Sequence, residues 1–434
     1  MRTIIIYEFL IKITDHQAKM DTEKLSTLST KLSANNSTTA HISVLIMGTL
    51  QSALLACLPL LIAKTPMTAS LWSWLIGGGL LGFVFFGPIW GKLTDRYTPV
   101  RTLAWTFAGL STAHLLLLAT LSTAIFQPTE FWLILGGLVL SRLVYAVFAS
   151  GVFSAAQASV ITPLSSNTRS HLARLNAANQ AGRILGPLLV AACAWYNALL
   201  SLYLLGIICL LMSWSLFFRS KRLPCATSVK PSPREPTDNQ QINWNDVLPE
   251  LSMAFCLTFF LGAIQFSLGP YLQHQYGLSP EEATHQLSGM LAISAFTMVI
   301  TALVLIPWLQ NRTRSYLTVM LATISVGSLM LGSSQSIITL TGGLILACMG
   351  VTLSTPYYGQ QLRDRWPERQ GLIGGILTSA HTIGYGVGTL AGGLLFQYLP
   401  DQALSSSLLL GPIFVVLTLW QCSKNSISPL PEEP

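Results

Sequence analysis

The sequence contains twelve apolar segments, each about as long as a membrane-spanning helix, in two sets of six. A helix needs about 20 apolar residues to cross the ~30 Å hydrocarbon core of a bilayer. Only 9% of the 434 residues are charged, whereas soluble domains carry roughly 25%. The chain is therefore predicted to be an all-α integral membrane protein with twelve transmembrane helices, and a water-soluble fold is excluded.

A polar stretch between the two sets defines the predicted organisation. Residues 219–246 are basic and rich in Pro, Gln and Asn, as in a solvated linker. The predicted units are a polar N-terminal segment (1–40), a six-helix half (41–218), the linker (219–246), a second six-helix half (247–423) and a tail (424–434). The helices are predicted at 42–63, 72–91, 102–126, 131–152, 173–196, 198–218, 247–271, 289–309, 315–334, 337–358, 372–399 and 405–422. The short apolar patch at residues 4–13 is not expected to be a signal peptide, because no small-residue cleavage site follows it. Met20 is an alternative start to Met1.

The basic residues are distributed asymmetrically over the predicted loops. Nearly all of the 24 Lys and Arg residues lie before helix 1, in the linker, in the tail and in the loops after helices 2, 4, 8 and 10. Lys64 is the one base in a loop on the opposite side, and Arg142 and Arg183 lie within apolar segments. Because positively charged loops stay in the cytoplasm, both termini are predicted there, in a multi-pass protein of a bacterial inner membrane.

The two sets of helices repeat weakly. Two adjacent glycines begin similar stretches at 136–140 in helix 4 and at 342–346 in helix 10. Gly182 and Gly186 of helix 5 correspond to Gly384 and Gly388 of helix 11. Duplicated halves around a site at mid-membrane depth are typical of transporters that work by alternating access.

The loop between helices 2 and 3 carries a recognisable motif. Residues 87–96 read Gly-Pro-Ile-Trp-Gly-Lys-Leu-Thr-Asp-Arg, and a further base follows at Arg101. The stretch resembles the cytoplasmic signature of the major facilitator superfamily, from which residues 98–100 depart. The resemblance implies a gate in which the acidic residue braces the start of helix 11, and the implied gating residues are Gly87, Gly91, Asp95, Arg96 and Arg101. The alternative is a solvated turn with ordinary positive charge.

Two further stretches resemble the drug/proton antiporter branch of that superfamily. On helix 5, Gly182, Gly186 and Pro187 match its Gly-x-x-x-Gly-Pro signature, which adds them to the gating residues. Glycines at this spacing let helices approach closely, and proline removes a helix hydrogen bond. Leu138 and Arg142 resemble the helix 4 signature of the branch, although Tyr145 and Ala146 replace the Gln-Gly expected there.

Two arginines near the bilayer midplane have no acidic partner at that depth. A charged side chain there costs at least ~2.5 kcal/mol, so Arg142 and Arg183 need a partner or a wet cavity. None of the 17 acidic residues falls in the middle of an apolar segment. The imbalance favours an anionic or carboxylate-rich substrate; the alternative is that both arginines bond backbone carbonyls or polar side chains. The predicted substrate-binding residues are Arg142, Arg183, Asn179, Asn176, Tyr145, Gln51 and Gln265.

Proton coupling has three candidate residues. His114 and His381 lie within apolar segments and have ordinary pKa values near neutrality. Arg142 is the third, through the resemblance to the antiporter branch. The seven cysteines form no CxxC or Cys/His cluster, so no metal site and no cofactor are expected.

The predicted function is secondary active export of a small polar or anionic molecule, such as a carboxylate siderophore or a drug-like metabolite, driven by a proton gradient. The expected partners are this substrate and the lipid bilayer, with no nucleic acid. An uptake symporter or facilitator of the same fold is the first alternative. A non-transporting sensor or a membrane-embedded enzyme is the second, but the sequence has no metalloprotease or nucleophile motif, so an enzyme is not expected.

Overall fold

The computed structural model describes residues 36–126, 130–160, 168–194, 196–222, 244–309, 311–366 and 370–427, which contain helices and no strands. Twelve helical rods follow one another, as predicted. They are α1 (Asn36–Ala56, continued by Leu58–Lys64), α2 (Ala69–Arg96), α3 (Pro99–Phe126), α4 (Phe131–Val160), α5 (Thr168–Ala194), α6 (Leu200–Arg222), α7 (Trp244–Tyr276), α8 (Pro280–Ile300, continued by a π-helical turn, Thr301–Leu305, and by Ile306–Leu309), α9 (Thr313–Gly332), α10 (Ile337–Arg365), α11 (Gln370–Tyr398) and α12 (Leu410–Ile427). The all-α class is confirmed.

Several helices are longer than the apolar segments that predict them. α1 begins at Asn36, α4 continues to Val160, and α7 begins at Trp244. A helix keeps its own backbone hydrogen bonds after it leaves the hydrocarbon, so hydropathy locates the crossing and not the helix ends. Most of the N-terminal segment, of the linker and of the tail lies outside the described residues.

The ends of the helices lie on two sides of the molecule. On one side, Arg365 at the end of α10 pairs with Glu250 near the start of α7, with Nη2 and Oε1 2.9 Å apart. On the other side, Lys64 at the end of α1 pairs with Glu281 at the start of α8, with Nζ and Oε1 3.3 Å apart. We call the side where α2, α6, α8 and α10 end the basic side, because most of the cations lie there.

Ten helices are long and apolar enough to cross a membrane, in the part of the chain that the structure describes. The two long helices outside this group are α5 and α11. α5 carries Arg174, Asn176, Asn179 and Arg183, and α11 is rich in glycine, serine and threonine. Both helices touch the opposite half of the molecule, α5 against α8 and α11 against α2. Their lower hydropathy therefore goes with burial in protein rather than in lipid.

In the first half, α5 crosses α1 at its two glycines. A Cβ added at Gly182 would collide with the carbonyl oxygen of Leu45, and one added at Gly186 would collide with that of Thr49. No side chain fits between these backbones. The crossing is an example of close helix packing through small residues four positions apart.

The second half repeats this crossing. A Cβ added at Gly384 of α11 would collide with the carbonyl oxygen of Phe255 on α7, and one added at Gly388 would collide with that of Phe259. Glycines four apart thus meet carbonyls four apart in both halves. The repeat inferred from these glycines has a direct structural counterpart.

The two halves touch away from the basic side. A Cβ at Gly77 of α2 would lie 2.6 Å from the carbonyl oxygen of Gly386 on α11, and Gln273 of α7 donates a 3.3 Å hydrogen bond to the carbonyl of Pro59 on α1. Nearer the basic side, Gly87 of α2 and Gly375 of α11 face open space. The glycines of α2 and α11 with room for a side chain thus lie toward the basic side, and the close contact between these helices lies away from it.

Candidate functional site

Arg183 of α5 lies where the two halves meet. Its guanidinium carbon is 5.8 Å from the ring centre of Tyr385 on α11, in a cation–π contact. The Tyr385 hydroxyl donates a 2.7 Å hydrogen bond to Oε1 of Gln265 on α7, whose side chain is 8% exposed. Two predicted residues, Arg183 and Gln265, are thus linked through Tyr385, which is not among the residues predicted from sequence.

Arg142 of α4 forms a second polar cluster, with Tyr145 one turn along the helix. The guanidinium carbon is 5.1 Å from the ring centre of Tyr145, and Nη2 lies 3.4 Å from Oγ of Ser141. Arg142 is 8% exposed, and its Nε is buried without a hydrogen-bond partner among the described residues. Gln51 of α1 lies close to the Tyr145 hydroxyl. An unpaired buried polar atom costs about 1–3 kcal/mol, so this cluster is suited to a polar ligand.

The two asparagines of α5 occupy different surroundings. Asn179 lies at the crossing with α1, where a Cβ added at Gly48 would lie 2.8 Å from Asn179 Oδ1. That oxygen is buried without a hydrogen-bond partner among the described residues. Asn176, nearer the basic side, is exposed. Together with Arg183 they form one polar face of α5, as their spacing predicts.

The two candidate histidines make different contacts. His381 of α11 places Nε2 2.6 Å from the hydroxyl of Tyr358 on α10. Tyr358 is 1% exposed, and the same hydroxyl lies 3.4 Å from Oγ1 of Thr355. His114 of α3 places Nε2 2.9 Å from the carbonyl oxygen of Leu202 on α6. His114 therefore joins two helices of one half, whereas His381 contacts an ionisable hydroxyl that could share its proton.

No ion pair among the described residues involves Arg142 or Arg183. Both guanidinium groups contact an aromatic ring instead. Cation–π contacts are worth about 0.5–2 kcal/mol, less than a carboxylate partner supplies in a dry site. The site residues thus hold two cations that an anionic group would complement.

The family profile of the Major Facilitator Superfamily matches residues 40–389, most of the chain. The chain belongs to the major facilitator superfamily. It is thus a multi-pass membrane protein with a transporter fold. A comparison with curated proteins finds no match.

Solved structures of other transporters share this fold. A bacterial homologue of the human lysosomal transporter Spinster, in an inward-facing and unoccupied conformation, is 12% identical with a TM-score of 0.64, over 90% of this chain and 96% of that one. A D-xylose-proton symporter is 13% identical with a TM-score of 0.66, over 89% and 96% of the two chains. A peptide transporter in complex with sulfate is 13% identical with a TM-score of 0.66, over 91% and 97%. At these identities the likeness concerns the fold alone.

The superfamily signature lies on the basic side. Its residues 87–96 are predicted in a loop, but they form the last turns of α2, and Arg101 lies in the first turn of α3, because the helix continues past the end of the apolar segment. Gly91, like Gly87, has open space around its Cα. Arg96 and Arg101 are exposed, and their guanidinium carbons lie 5.8 Å and 5.6 Å from the ring centres of Tyr97 and Trp105. The side chain of Asp95 lies outside the described part of the structure. In the helix 5 signature, Gly182, Gly186 and Pro187 are buried.

A buried carboxylate near the basic side is not among the predicted site residues. Glu250 of α7 is 0% exposed; its Oε1 pairs with Arg365 of α10 and accepts a 3.1 Å hydrogen bond from Nε2 of Gln421 on α12. Arg365 Nη1 also donates to the carbonyl oxygen of Asp246. These contacts join three helices of one half, so Glu250 serves the scaffold and does not neutralise Arg142 or Arg183.

Proposed function

We propose that this protein exports a small anionic or polar molecule by secondary active transport, with alternating access between its two halves. The observation that carries the proposal is Arg183, a cation at the contact between the halves that forms no ion pair among the described residues. A substrate with a carboxylate or similar group would supply the missing charge. A carboxylate siderophore or a drug-like metabolite with such a group fits this requirement.

The positive-inside rule supports a cytoplasmic basic side in a bacterial inner membrane. Open space at Gly87 of α2 and Gly375 of α11 supports a molecule that opens toward the cytoplasm, from which an exporter loads. The six-helix halves, residues 41–218 and 247–423, would rock about the central site. Asp95 and Arg96 at the end of α2 and Arg101 at the start of α3 would form the gate on the cytoplasmic side.

The first test concerns the anion. In proteoliposomes with an imposed pH gradient, Arg183→Gln and Arg142→Gln are each expected to lower transport of succinate or citrate at least tenfold, because the buried ligand loses its countercharge. Arg174→Gln, which replaces an exposed base on the same helix as Arg183, is the matched control and is expected to transport normally. Full transport by the double variant Arg142→Gln/Arg183→Gln would contradict an anion site.

The second test concerns the proton. We assign coupling to His381, because its Nε2 contacts the Tyr358 hydroxyl close to the central helices. His381→Gln is expected to remove the dependence of transport on the pH gradient, while exchange of substrate without a gradient persists. His114→Gln is expected to keep the dependence, because His114 binds a backbone carbonyl between α3 and α6. The opposite pattern would assign the proton to His114.

The assays also separate the alternatives. Substrate accumulation in cells that lack the protein supports export, and depletion supports an uptake symporter or facilitator. Ligand binding without movement across the bilayer would identify a sensor.

A further inference from the structure

Arg183 and Tyr385 occupy equivalent positions in the two halves. Arg183 directly follows the first glycine of the α1/α5 crossing, and Tyr385 directly follows the first glycine of the α7/α11 crossing. In each half, that glycine and the one four residues later pack on two carbonyl oxygens of the partner helix. The equivalence therefore rests on backbone contacts as well as on the aligned glycines.

These two equivalent residues touch each other. The Arg183 guanidinium carbon lies 5.8 Å from the Tyr385 ring centre, and the two residues belong to different halves. When two bodies are related by a twofold axis, the midpoint between any pair of equivalent points lies on that axis. In this fold the axis runs along the membrane normal between the halves. The Arg183–Tyr385 contact therefore marks the pseudo-twofold axis.

A position on the axis at mid-membrane depth has a mechanical consequence. Rocking the halves about a pivot at that depth separates residues at the ends of the helices, such as Lys64 and Glu281, but moves groups at the depth of the pivot least. A group held between Arg183 and Tyr385 would thus keep contact with both halves throughout the cycle. Gln265 fixes the Tyr385 ring through its 2.7 Å hydrogen bond, and the guanidinium has five N–H donors, of which a ring on one face leaves several free.

We propose that Arg183 and Tyr385 form an axial subsite for one carboxylate or similar anionic group, in which Arg183 supplies the charge and Tyr385 positions the guanidinium. The inference rests on the proposed anionic substrate and adds where its charged group binds. Only one of the two equivalent positions carries a cation. Because the axis relates the two positions, an arginine at either position is expected to bind the anionic group.

The experiment moves the arginine across the axis. The purified full-length protein is titrated with acetate, succinate and citrate at constant ionic strength, and the rise in Tm gives the apparent Kd. Arg183→Tyr is expected to weaken the best anion at least tenfold. Arg183→Tyr/Tyr385→Arg, which exchanges the two residues, is expected to bind within about threefold of the wild type. Arg183→Tyr/Thr382→Arg puts an arginine three residues away on α11 and is expected to stay as weak as Arg183→Tyr.

The positioning role of Tyr385 has its own readout. Tyr385→Phe keeps the ring but loses its hydrogen bond to Gln265, and it is expected to weaken anion binding by no more than about threefold. Tyr385→Ala removes the ring as well and is expected to weaken binding about tenfold, while the Tm of the unliganded protein stays close to that of Tyr385→Phe. These single variants keep the inference testable if the exchange variant fails to fold.

The outcomes separate the two levels of the proposal. A wild-type protein that responds to none of the three anions contradicts the anionic substrate and, with it, the subsite. A wild-type response that Arg183→Tyr abolishes but the exchanged pair does not restore contradicts only the axial placement. Equal rescue of Arg183→Tyr by Thr382→Arg and by Tyr385→Arg would also contradict that placement.

Discussion

Gly388→Ala is expected to separate α11 from α7 and to destabilise the second half strongly. The new Cβ would collide with the carbonyl oxygen, carbonyl carbon and Cα of Phe259, all backbone atoms of the partner helix. A side chain could rotate away, but this backbone is fixed by its own helix. Overpacking of a core by one methyl typically costs about 1–3 kcal/mol, and a backbone obstacle places this variant at or above the upper end. The Tm of the purified protein measures the effect.

Gly375→Ala is the matched control on the same helix. A Cβ at Gly375 meets no atom within 4 Å, and alanine is about 1 kcal/mol better than glycine inside a helix. The Tm of Gly375→Ala is therefore expected to equal or exceed that of the wild type. An unchanged Tm for Gly388→Ala would show that the α7/α11 crossing has more room than its contacts indicate.

The glycine crossings also show how far sequence reasoning extends. The spacing of Gly182 and Gly186, repeated at Gly384 and Gly388, predicts two equivalent close contacts. The spacing does not identify the atoms that the glycines contact, because a glycine has no side chain whose chemistry selects a neighbour. Only the fold shows that the partners are carbonyls of α1 and α7.

Tyr385 illustrates a signal that was present in the sequence. It follows Gly384 as Arg183 follows Gly182, so the repeat alone marks the two positions as equivalent. The chemistry of a buried arginine attracts attention, whereas tyrosine in an apolar segment is typical of ordinary packing. That the two residues meet depends on which faces the halves turn toward each other, and local sequence does not encode this.

The apolar segments predict the series of long helices well, and the two polar helices α5 and α11 least directly. α5 and α11 have the weaker apolar signals because protein, not lipid, covers much of their surface. The gating role of Asp95 remains a prediction from its motif, since this side chain lies outside the described part of the structure. The polar face of α5 follows from the spacing of Asn176, Asn179 and Arg183, but their different surroundings depend on α1 and α11.

Glu250 is the clearest case of burial that charge patterning does not reveal. Four residues from Asp246 at the start of α7, it has the sequence context of an interfacial acid, yet its side chain is 0% exposed. Contacts with Arg365 of α10 and Gln421 of α12 explain the burial. Its Oε2 has no hydrogen-bond partner among the described residues, so the ion pair supplies most of the compensation.

Glu250→Ala is accordingly expected to destabilise the protein by about 3 kcal/mol, because it leaves a partly buried guanidinium without its carboxylate. Arg365 is 28% exposed, which places the effect at the low end of the range for a broken buried pair. Asp364→Ala removes an exposed carboxylate from the neighbouring position of α10 and is the control. Urea or thermal unfolding of both variants measures the difference in the free energy of unfolding.

Glu250→Ala/Arg365→Ala, which removes both charges, is expected to recover part of the stability lost in Glu250→Ala. Equal stability of Glu250→Ala and Asp364→Ala would show that α7, α10 and α12 are held together by apolar packing alone.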